Sequence, residues 1–280
     1  MDDKTVVITG ANGQVGRALQ KVYPQALALD REQLDITNQK AINEFNWDNV
    51  KVIINAAAWT DVDGAENPSN YDLVKTVNVD ATRYLATAAS QHDLTFVTFS
   101  SDYVFDGSQP IHNEDETFSP LNIYGKTKAG GDLAAATTIK HYIIRTSWVI
   151  GDGRNFVNIM QDLAARGVRP SVVNDQIGRL TFTDTLARGI KHLLEIGAPY
   201  GTYNLTNEGQ PASWADIAKI VFEKSGKSPS DVQPVSTAEY FTDKPNTAKR
   251  PLQSTLDLTK IEKTGFIPED WRDKLDKLLD

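Results

Sequence analysis

Short runs of β-branched and aromatic residues recur through the first half of the chain, separated by stretches of helical periodicity. Thr5-Val6-Val7-Ile8-Thr9, Val52-Ile53-Ile54-Asn55, Thr95-Phe96-Val97-Thr98-Phe99 and Tyr142-Ile143-Ile144-Arg145 are apolar almost throughout. A strand apolar on both faces is covered on both faces, which is the situation of a parallel sheet between two helix layers. Ala26 to Asp30 reads as a further strand, and Val15 to Val22 as a helix after a glycine turn. The alternation predicts an α/β fold with a doubly wound parallel sheet over residues 1–150, whose ligands sit beyond the carboxyl ends of the strands. From about Gly151 the pattern changes. Asn155 to Ala165 and Ser213 to Ser225 read as helices, separated by polar segments around Pro211 and from Pro229 to Pro234. Residues 151–280 are therefore expected to form mainly a smaller C-terminal substrate-binding lobe, with segments at about 172–196 returning to the first domain. The last stretch, after Pro268 and Trp271, reads as a charged amphipathic helix docked on that lobe.

Composition narrows the chemistry. A chain of 280 residues, 40% hydrophobic and 24% charged, can build a substantial core. It has no long uncharged apolar run, so no membrane-spanning helix is expected. Met1-Asp2-Asp3-Lys4 leads straight into a strand without a signal-peptide pattern, which points to the cytoplasm. Zero cysteines exclude disulfides, thiol nucleophiles and cysteine-ligated metals. A net charge of −8 argues against nucleic acid as a partner. The four histidines, His92, His112, His141 and His192, fall in no metal-ligand spacing, and no metal is expected.

Gly10-Ala11-Asn12-Gly13-Gln14-Val15-Gly16 joins the first strand to the first helix. Glycines there allow a pyrophosphate close to the main chain, and the helix N-terminus offers free N–H groups to the anion. Gly10, Asn12, Gly13, Gln14, Val15 and Gly16 are thus candidate dinucleotide-binding residues of a Rossmann-type fold. After the second strand, Asp30 is placed to hydrogen-bond a ribose 2′-hydroxyl, favouring NADH. Arg31 beside it is placed to pair a 2′-phosphate, favouring NADPH. Small residues at Ala56, Ala57 and Ala58 leave room for the cofactor, or serve tight helix–sheet packing. The spacing of the glycines, with Thr9 before them, resembles the T-G-x-x-G-x-x-G of the extended short-chain dehydrogenase/reductase family. Asp35-Ile36 resembles that family's acidic-hydrophobic pair beside the adenine; capping of the helix after Thr37-Asn38 is the other reading.

Tyr124-Gly125-Lys126-Thr127-Lys128 places Tyr124 and Lys128 four apart, on one face of a helix. A free tyrosine has a pKa near ~10. A neighbouring ammonium is expected to lower it and make the phenol a proton donor to a developing alkoxide. Ser101, just past the strand that begins at Thr95, would supply a second hydrogen bond to the carbonyl oxygen. Ser101, Tyr124 and Lys128 are the candidate catalytic set, and Tyr124 and Lys128 are candidate cofactor contacts as well.

Five stretches together resemble the dTDP-4-dehydrorhamnose reductases. They are Gly10 to Gly16, Asn55 to Glu66, Ser101 to Gly107, Arg145 to Val149, and Asp175-Gln176-Ile177-Gly178-Arg179-Leu180-Thr181. The resemblance covers the chain to about residue 190 and is loose beyond. It implies NADPH- or NADH-dependent reduction of the C4 ketone of dTDP-4-dehydro-L-rhamnose. It assigns Thr60, Asp61, Val62, Asp102 and Tyr103 to the sugar, Trp148 to a flat surface against sugar or base, and Arg179 to the diphosphate. For Trp148 a core position and for Arg179 a solvated charge are the alternatives. Asn78 stands where the wider family keeps an asparagine that orders its helix and a water near the lysine. This chain departs from the pattern in having Ser101 where threonine is common, Leu180 where proline is common, and Ala18 where some members carry a glutamate that helps bind magnesium at a dimer interface. The expected assembly is accordingly a monomer or a weak metal-independent homodimer.

Two other readings share the fold. Epimerases and dehydratases of nucleotide sugars use the same Tyr–Lys pair with added acid–base groups, and Asp102 beside Ser101 is one such group. Non-catalytic regulatory subunits, such as the β subunit of methionine adenosyltransferase, keep the fold without needing Ser101, Tyr124 and Lys128.

Overall fold

The computed structural model describes residues 2–244 and 247–280. Six strands form one parallel sheet: β1 (Val6–Thr9), β2 (Leu27–Leu29), β3 (Val52–Asn55), β4 (Thr95–Ser101), β5 (His141–Thr146) and, much later in the chain, β10 (Gly201–Asn204). Their spatial order is β10-β5-β4-β3-β1-β2. The order reverses between β1 and β3, and that switch point is where doubly wound sheets leave a crevice at their carboxyl edge.

Helices cover both faces. On one side lie α1 (Gln14–Val22) and α7 (Thr183–Ile196), packed on each other and on Ile8, Ile54, Val97 and Ile144. On the other lie α2 (Gln39–Glu44), a short α3 (Tyr71–Lys75), α4 (Ala81–Gln91) and α5 (Ile123–Ala135), over Val7, Ile53, Phe96 and Ile143. Every residue of β1 and β3 is buried, and successive side chains enter the two cores in turn, as their unbroken apolar runs require. Between α3 and α4, residues Thr76–Asp80 wind as one π-helical turn. Such turns are rare and often mark functional segments.

A third core lies apart from the sheet. It gathers α6 (Phe156–Ala165), α8 (Trp214–Lys224) and α11 (Trp271–Leu279) around the fully buried Trp271, whose indole N–H donates to the Gln210 carbonyl at 2.9 Å. Short strands stitch its edges. β6 (Val149–Ile150) pairs with β9 (Thr181–Phe182), β7 (Ser171–Val173) with β12 (Gln233–Val235), and β8 (Ile177–Gly178) with β11 (Ala212–Ser213). Helix α9 (Thr237–Phe241) packs on β7, whereas α10 (Thr259–Glu262) returns to the main sheet, packing on β10 with Ile261 in the core beside α7. Against the expected returning range of 172–196, β7 sits in this smaller assembly. The chain goes back to the sheet at Thr183 and continues through β10. No helix among the described residues is long and apolar enough to cross a membrane.

Candidate active site

A cleft of about 1040 Å³ opens at the carboxyl ends of β1, β3, β4 and β5. Its first wall is the glycine turn. Gly10 has φ +71°, and a Cβ there would stand 2.5 Å from the Ala57 amide nitrogen, so the turn tolerates no side chain at this point. Asn55 locks the two strand ends together, its Oδ1 accepting from Thr9 Oγ1 at 2.8 Å and from the Ala57 amide at 3.2 Å. Gly13 begins α1 without any side-chain cap, which leaves the helix N-terminus to an anion. Gly16 does not line the cleft; it is buried beneath the turn against the Gly10 carbonyl.

Past β2, the Asp30 carboxylate serves its own turn. Oδ1 accepts the amides of Glu32 (3.0 Å) and Gln33 (3.1 Å), and Oδ2 accepts from Asn12 Nδ2 at 3.2 Å. Arg31 is exposed and lies 3.5 Å from Asp35. Asp35 in turn accepts from the amide and hydroxyl of Thr37. All four of Asp30, Arg31, Asp35 and Ile36 line the cleft, as do Ala56, Ala57 and Ala58.

At the other end of the cleft stand Ser101, Tyr124 and Lys128. Asn122 starts α5 by accepting the Gly125 amide at 2.7 Å, which puts Tyr124 in the first turn and Lys128 one turn on. The Ser101 hydroxyl closes β4, lies beside the Tyr124 hydroxyl, and donates to Asp102 Oδ1 at 2.9 Å. Lys128 Nζ donates to the Phe99 carbonyl at 2.6 Å. Asn78, in the π-helical turn, accepts the Trp59 amide at 2.9 Å and donates to Thr127 Oγ1 at 3.0 Å, tying the loop after β3 to α5.

The protonation of this set differs from the expectation. Tyr124 is pushed up to about 12, first by burial and then by the charges of Asp102 and Asp132, with the Ser101 hydroxyl working the other way. Lys128 is itself pushed down to about 8 by burial, opposed by Asp132. A buried ammonium hydrogen-bonded to a carbonyl does not outweigh the loss of water around the phenol. Tyr124 is therefore a neutral acid across the physiological range. Asp102 is raised to about 6 by burial, restrained by the hydroxyls of Ser254 and Ser101.

Thr60, Val62, Asp102, Tyr103 and Trp148 line the cleft; Asp61 and Arg179 do not. Asp61 is exposed and caps the turn after it, accepting the Gly64 amide at 2.9 Å. Arg179 turns toward the C-terminal segment, where its Nη1 donates to the Leu256 carbonyl at 3.4 Å. Trp148 is the unusual residue. Its φ is +47°, its ring stacks on Trp214 at 3.8 Å and 17°, and a Cβ on Gly178 would lie 2.9 Å from that ring.

The cleft also holds residues the sequence reading did not single out. Arg17 follows Gly16 directly; its guanidinium donates to the carbonyls of Asn12 and Asp152. Thr146, Ser147 and Arg154 line the cleft too. Trp214 lines it as well and is shared with a second hollow of about 330 Å³, bordered by Phe156, Gln176, Tyr240, Phe241, Lys244 and Arg250. Arg250 is tied to Asp63 at 2.7 Å, 187 residues away in sequence, a contact no local pattern announces. Nowhere among the described residues do three or more histidine, aspartate or glutamate side chains converge as a metal would require.

The donor set fits a dinucleotide. The glycine turn and open helix end suit a pyrophosphate, and Gln14 Oε1 and Thr146 Oγ1 are buried at the cleft without a partner among the described residues. Comparison with known proteins agrees. The family model described as "RmlD substrate binding domain" matches residues 4–280. A dTDP-4-dehydrorhamnose reductase of Aggregatibacter actinomycetemcomitans is 40% identical over 285 residues, covering 95% of each chain. The crystal structure of a dTDP-4-dehydrorhamnose reductase from Clostridium acetobutylicum superposes with a TM-score of 0.89 at 37% identity, over 97% of both chains. That of a dTDP-4-dehydrorhamnose reductase from Bacillus anthracis in complex with NADP does so with a TM-score of 0.88 at 34% identity, again over 97% of both.

Proposed function

The chain belongs to the RmlD substrate binding domain family, and from that premise we propose how its cleft works as a dTDP-4-dehydrorhamnose reductase. The enzyme is an NAD(P)H-dependent oxidoreductase of dTDP-rhamnose biosynthesis, reducing the C4 ketone of dTDP-4-dehydro-L-rhamnose to the alcohol of dTDP-L-rhamnose. The observation that carries the mechanism is the meeting of Ser101, Tyr124 and Lys128 in one cleft with the glycine turn.

When bound, the reduced dinucleotide supplies a hydride to the carbonyl carbon. Residues of the chain do the rest. Gly10, Asn12, Gly13, Gln14 and Val15 hold the pyrophosphate end. The Tyr124 hydroxyl, kept protonated by burial, gives its proton to the carbonyl oxygen as charge builds there. The Ser101 hydroxyl, turned from Asp102, donates its one proton in a hydrogen bond to the same oxygen, and the Lys128 ammonium offsets the charge left on the phenol. Thr60, Val62, Asp102 and Tyr103 hold the sugar beside Ser101. Trp148 and Trp214 form the wall over which the nucleotide passes to the second hollow, where aromatic rings and the cations Lys244 and Arg250 suit a base and a diphosphate. In this arrangement Arg250 and Lys244 take the part that the sequence suggested for Arg179. A cytoplasmic location accompanies this reading, since reduced dinucleotides and nucleotide sugars are made there.

The test is direct. Mixed with NADPH and dTDP-4-dehydro-L-rhamnose, the protein should bleach the nicotinamide absorbance band and yield dTDP-L-rhamnose. A stable absorbance with both ligands demonstrably bound would refute the reaction.

Cofactor use is expected to be mixed, with Arg31 as the handle for NADPH. Both Asp30 oxygens are engaged within the chain, whereas Arg31 is only loosely held by Asp35 at 3.5 Å. Arg31→Ala should weaken NADPH while sparing NADH, because a hydrogen bond to a charged group contributes ~1.5–3 kcal/mol, about 10- to 100-fold in affinity. Equal losses for the two cofactors would mean that Arg31 does not touch the 2′-phosphate.

For assembly, we propose a monomer or a weak homodimer that needs no magnesium. The first helix carries no carboxylate, Ala18 is buried in the core, and Arg17 adds positive charge beside it. Magnesium demands several converging oxygen ligands. Light scattering should give the same mass with and without EDTA; a dimer that dissociates on chelation would defeat the proposal.

A further inference from the structure

Three buried charged side chains run from the cleft into the interior, Lys128 at its wall and Asp132 and Arg145 behind it, and the reaction described above uses only one of them. Lys128, Asp132 and Arg145 are 7%, 3% and 4% exposed. Lys128 and Asp132 are one turn apart on α5 and so share its inner face. Asp132 Oδ2 accepts from Arg145 Nε at 3.0 Å. Arg145 Nη1 donates to the Glu114 carbonyl at 2.9 Å, and its guanidinium is flanked by the rings of Phe105 and Phe118 at 5.3 and 5.0 Å.

A buried ion pair confers little stability over well-packed apolar residues of the same volume. The trio therefore calls for another account, and Lys128 provides it. Its ammonium is out of water and donates to one carbonyl, that of Phe99. Such a group tends to lose its proton unless a carboxylate stands near. Asp132, one turn on along α5, is the charged group that acts on it; Tyr124 lies one turn before it on the same helix, Arg145 reaches Asp132 from β5, and the π-helical turn presents the neutral Asn78 to the neighbouring Thr127. The positive charge of Arg145 is offset by its pairing with Asp132.

We propose that Asp132, held in place by Arg145, is the positioning residue that keeps Lys128 charged while Tyr124 gives up its proton. The proposal rests on the roles given above to Tyr124 and Lys128. Burial drives Lys128 down to about 8, and Asp132 draws it back up; burial raises Asp132 as well, and the Arg145 charge is the first influence that holds its carboxyl down.

The experiment follows the lysine itself. A 13C titration of the Lys128 side chain, assigned with K128M, is run beside the pH profile of kcat/KM. In D132N both midpoints should fall by about one unit or more, the scale of an opposite charge at close range. Activity lost at neutral pH should then partly return at lower pH. D132E should restore the midpoint. D132N leaves Arg145 buried alone, so D132N/R145M, which leaves no orphan charge, is measured as well and should show a smaller fall in the same direction. A midpoint that stays put in both D132N and the double variant, with activity reduced equally at every pH, would make Asp132 purely structural and overturn the proposal, even with K128M inactive. An active K128M would instead overturn the role of Lys128, and the proposal with it.

Discussion

Tyr124→Phe lowers turnover by about 10²-fold or more, the usual scale of general acid catalysis, and leaves dinucleotide affinity nearly unchanged. The expectation comes from the placement of the phenol. Its ring packs edge-on against Tyr103 at 5.5 Å and 80°, so a phenylalanine keeps that contact and loses only the hydroxyl. Burial holds the hydroxyl up to about 12, which makes Tyr124 a weak acid that surrenders its proton only to a strongly basic oxygen. An alkoxide forming on the sugar is such an oxygen; the resting ketone is not. Proton transfer is thereby coupled to hydride arrival. Stopped-flow measurement of nicotinamide oxidation checks the rate, and fluorescence titration checks the affinity. A phenylalanine variant with wild-type turnover would remove Tyr124 from the mechanism.

Gly10→Ala abolishes dinucleotide binding and lowers the unfolding temperature. Two costs coincide at this position. A residue with a side chain at φ +71° costs about 1–3 kcal/mol in backbone strain. The new methyl would also sit 2.5 Å from the Ala57 nitrogen, and neither backbone can retreat, because Asn55 ties β1 to β3 directly beneath. The substituted turn must therefore spread the ends of the two strands that frame the switch point. Calorimetry and an NADPH titration test this together. Retained affinity at normal stability would mean that the turn is more pliant than its packing implies.

The sheet was legible from sequence wherever a strand is buried on both faces. β1, β3, β4 and β5 each coincide with an apolar run, and their place in a parallel sheet between helices follows from that. β10 was not legible. Gly201-Thr202-Tyr203-Asn204 is an edge strand, mixed in polarity, and its recruitment depends on pairing with β5 across more than fifty intervening residues. The meeting of Ser101, Tyr124 and Lys128 in one cleft could be read because Tyr124 and Lys128 carry their geometry in their spacing and Ser101 ends a strand at the carboxyl edge. Their acidities could not be read. The expectation that Lys128 lowers the Tyr124 pKa counted one charge and omitted burial, which is the larger effect. The direction of Arg179 could not be read either: a charge in a loop gives none, and here the side chain, between β8 and β9, donates to the Leu256 carbonyl. Trp214 had a readable address at the head of a helix, but nothing local announces that its ring stacks on Trp148.

That stack has an evolutionary consequence. Trp148 stands in a left-handed backbone conformation that is poor for a bulky residue. It is kept there by a ring above and a missing methyl group below, at Gly178. The three positions are distant in the chain but form one steric unit. A drift at Gly178 to any larger residue would evict the indole, and a loss of Trp214 would leave it unsupported. Neutral substitution should therefore be closed at each site singly. A descendant enzyme that reshapes this wall for a different sugar must change at least two of the three residues in concert, by passing through an intermediate that is worse than either end.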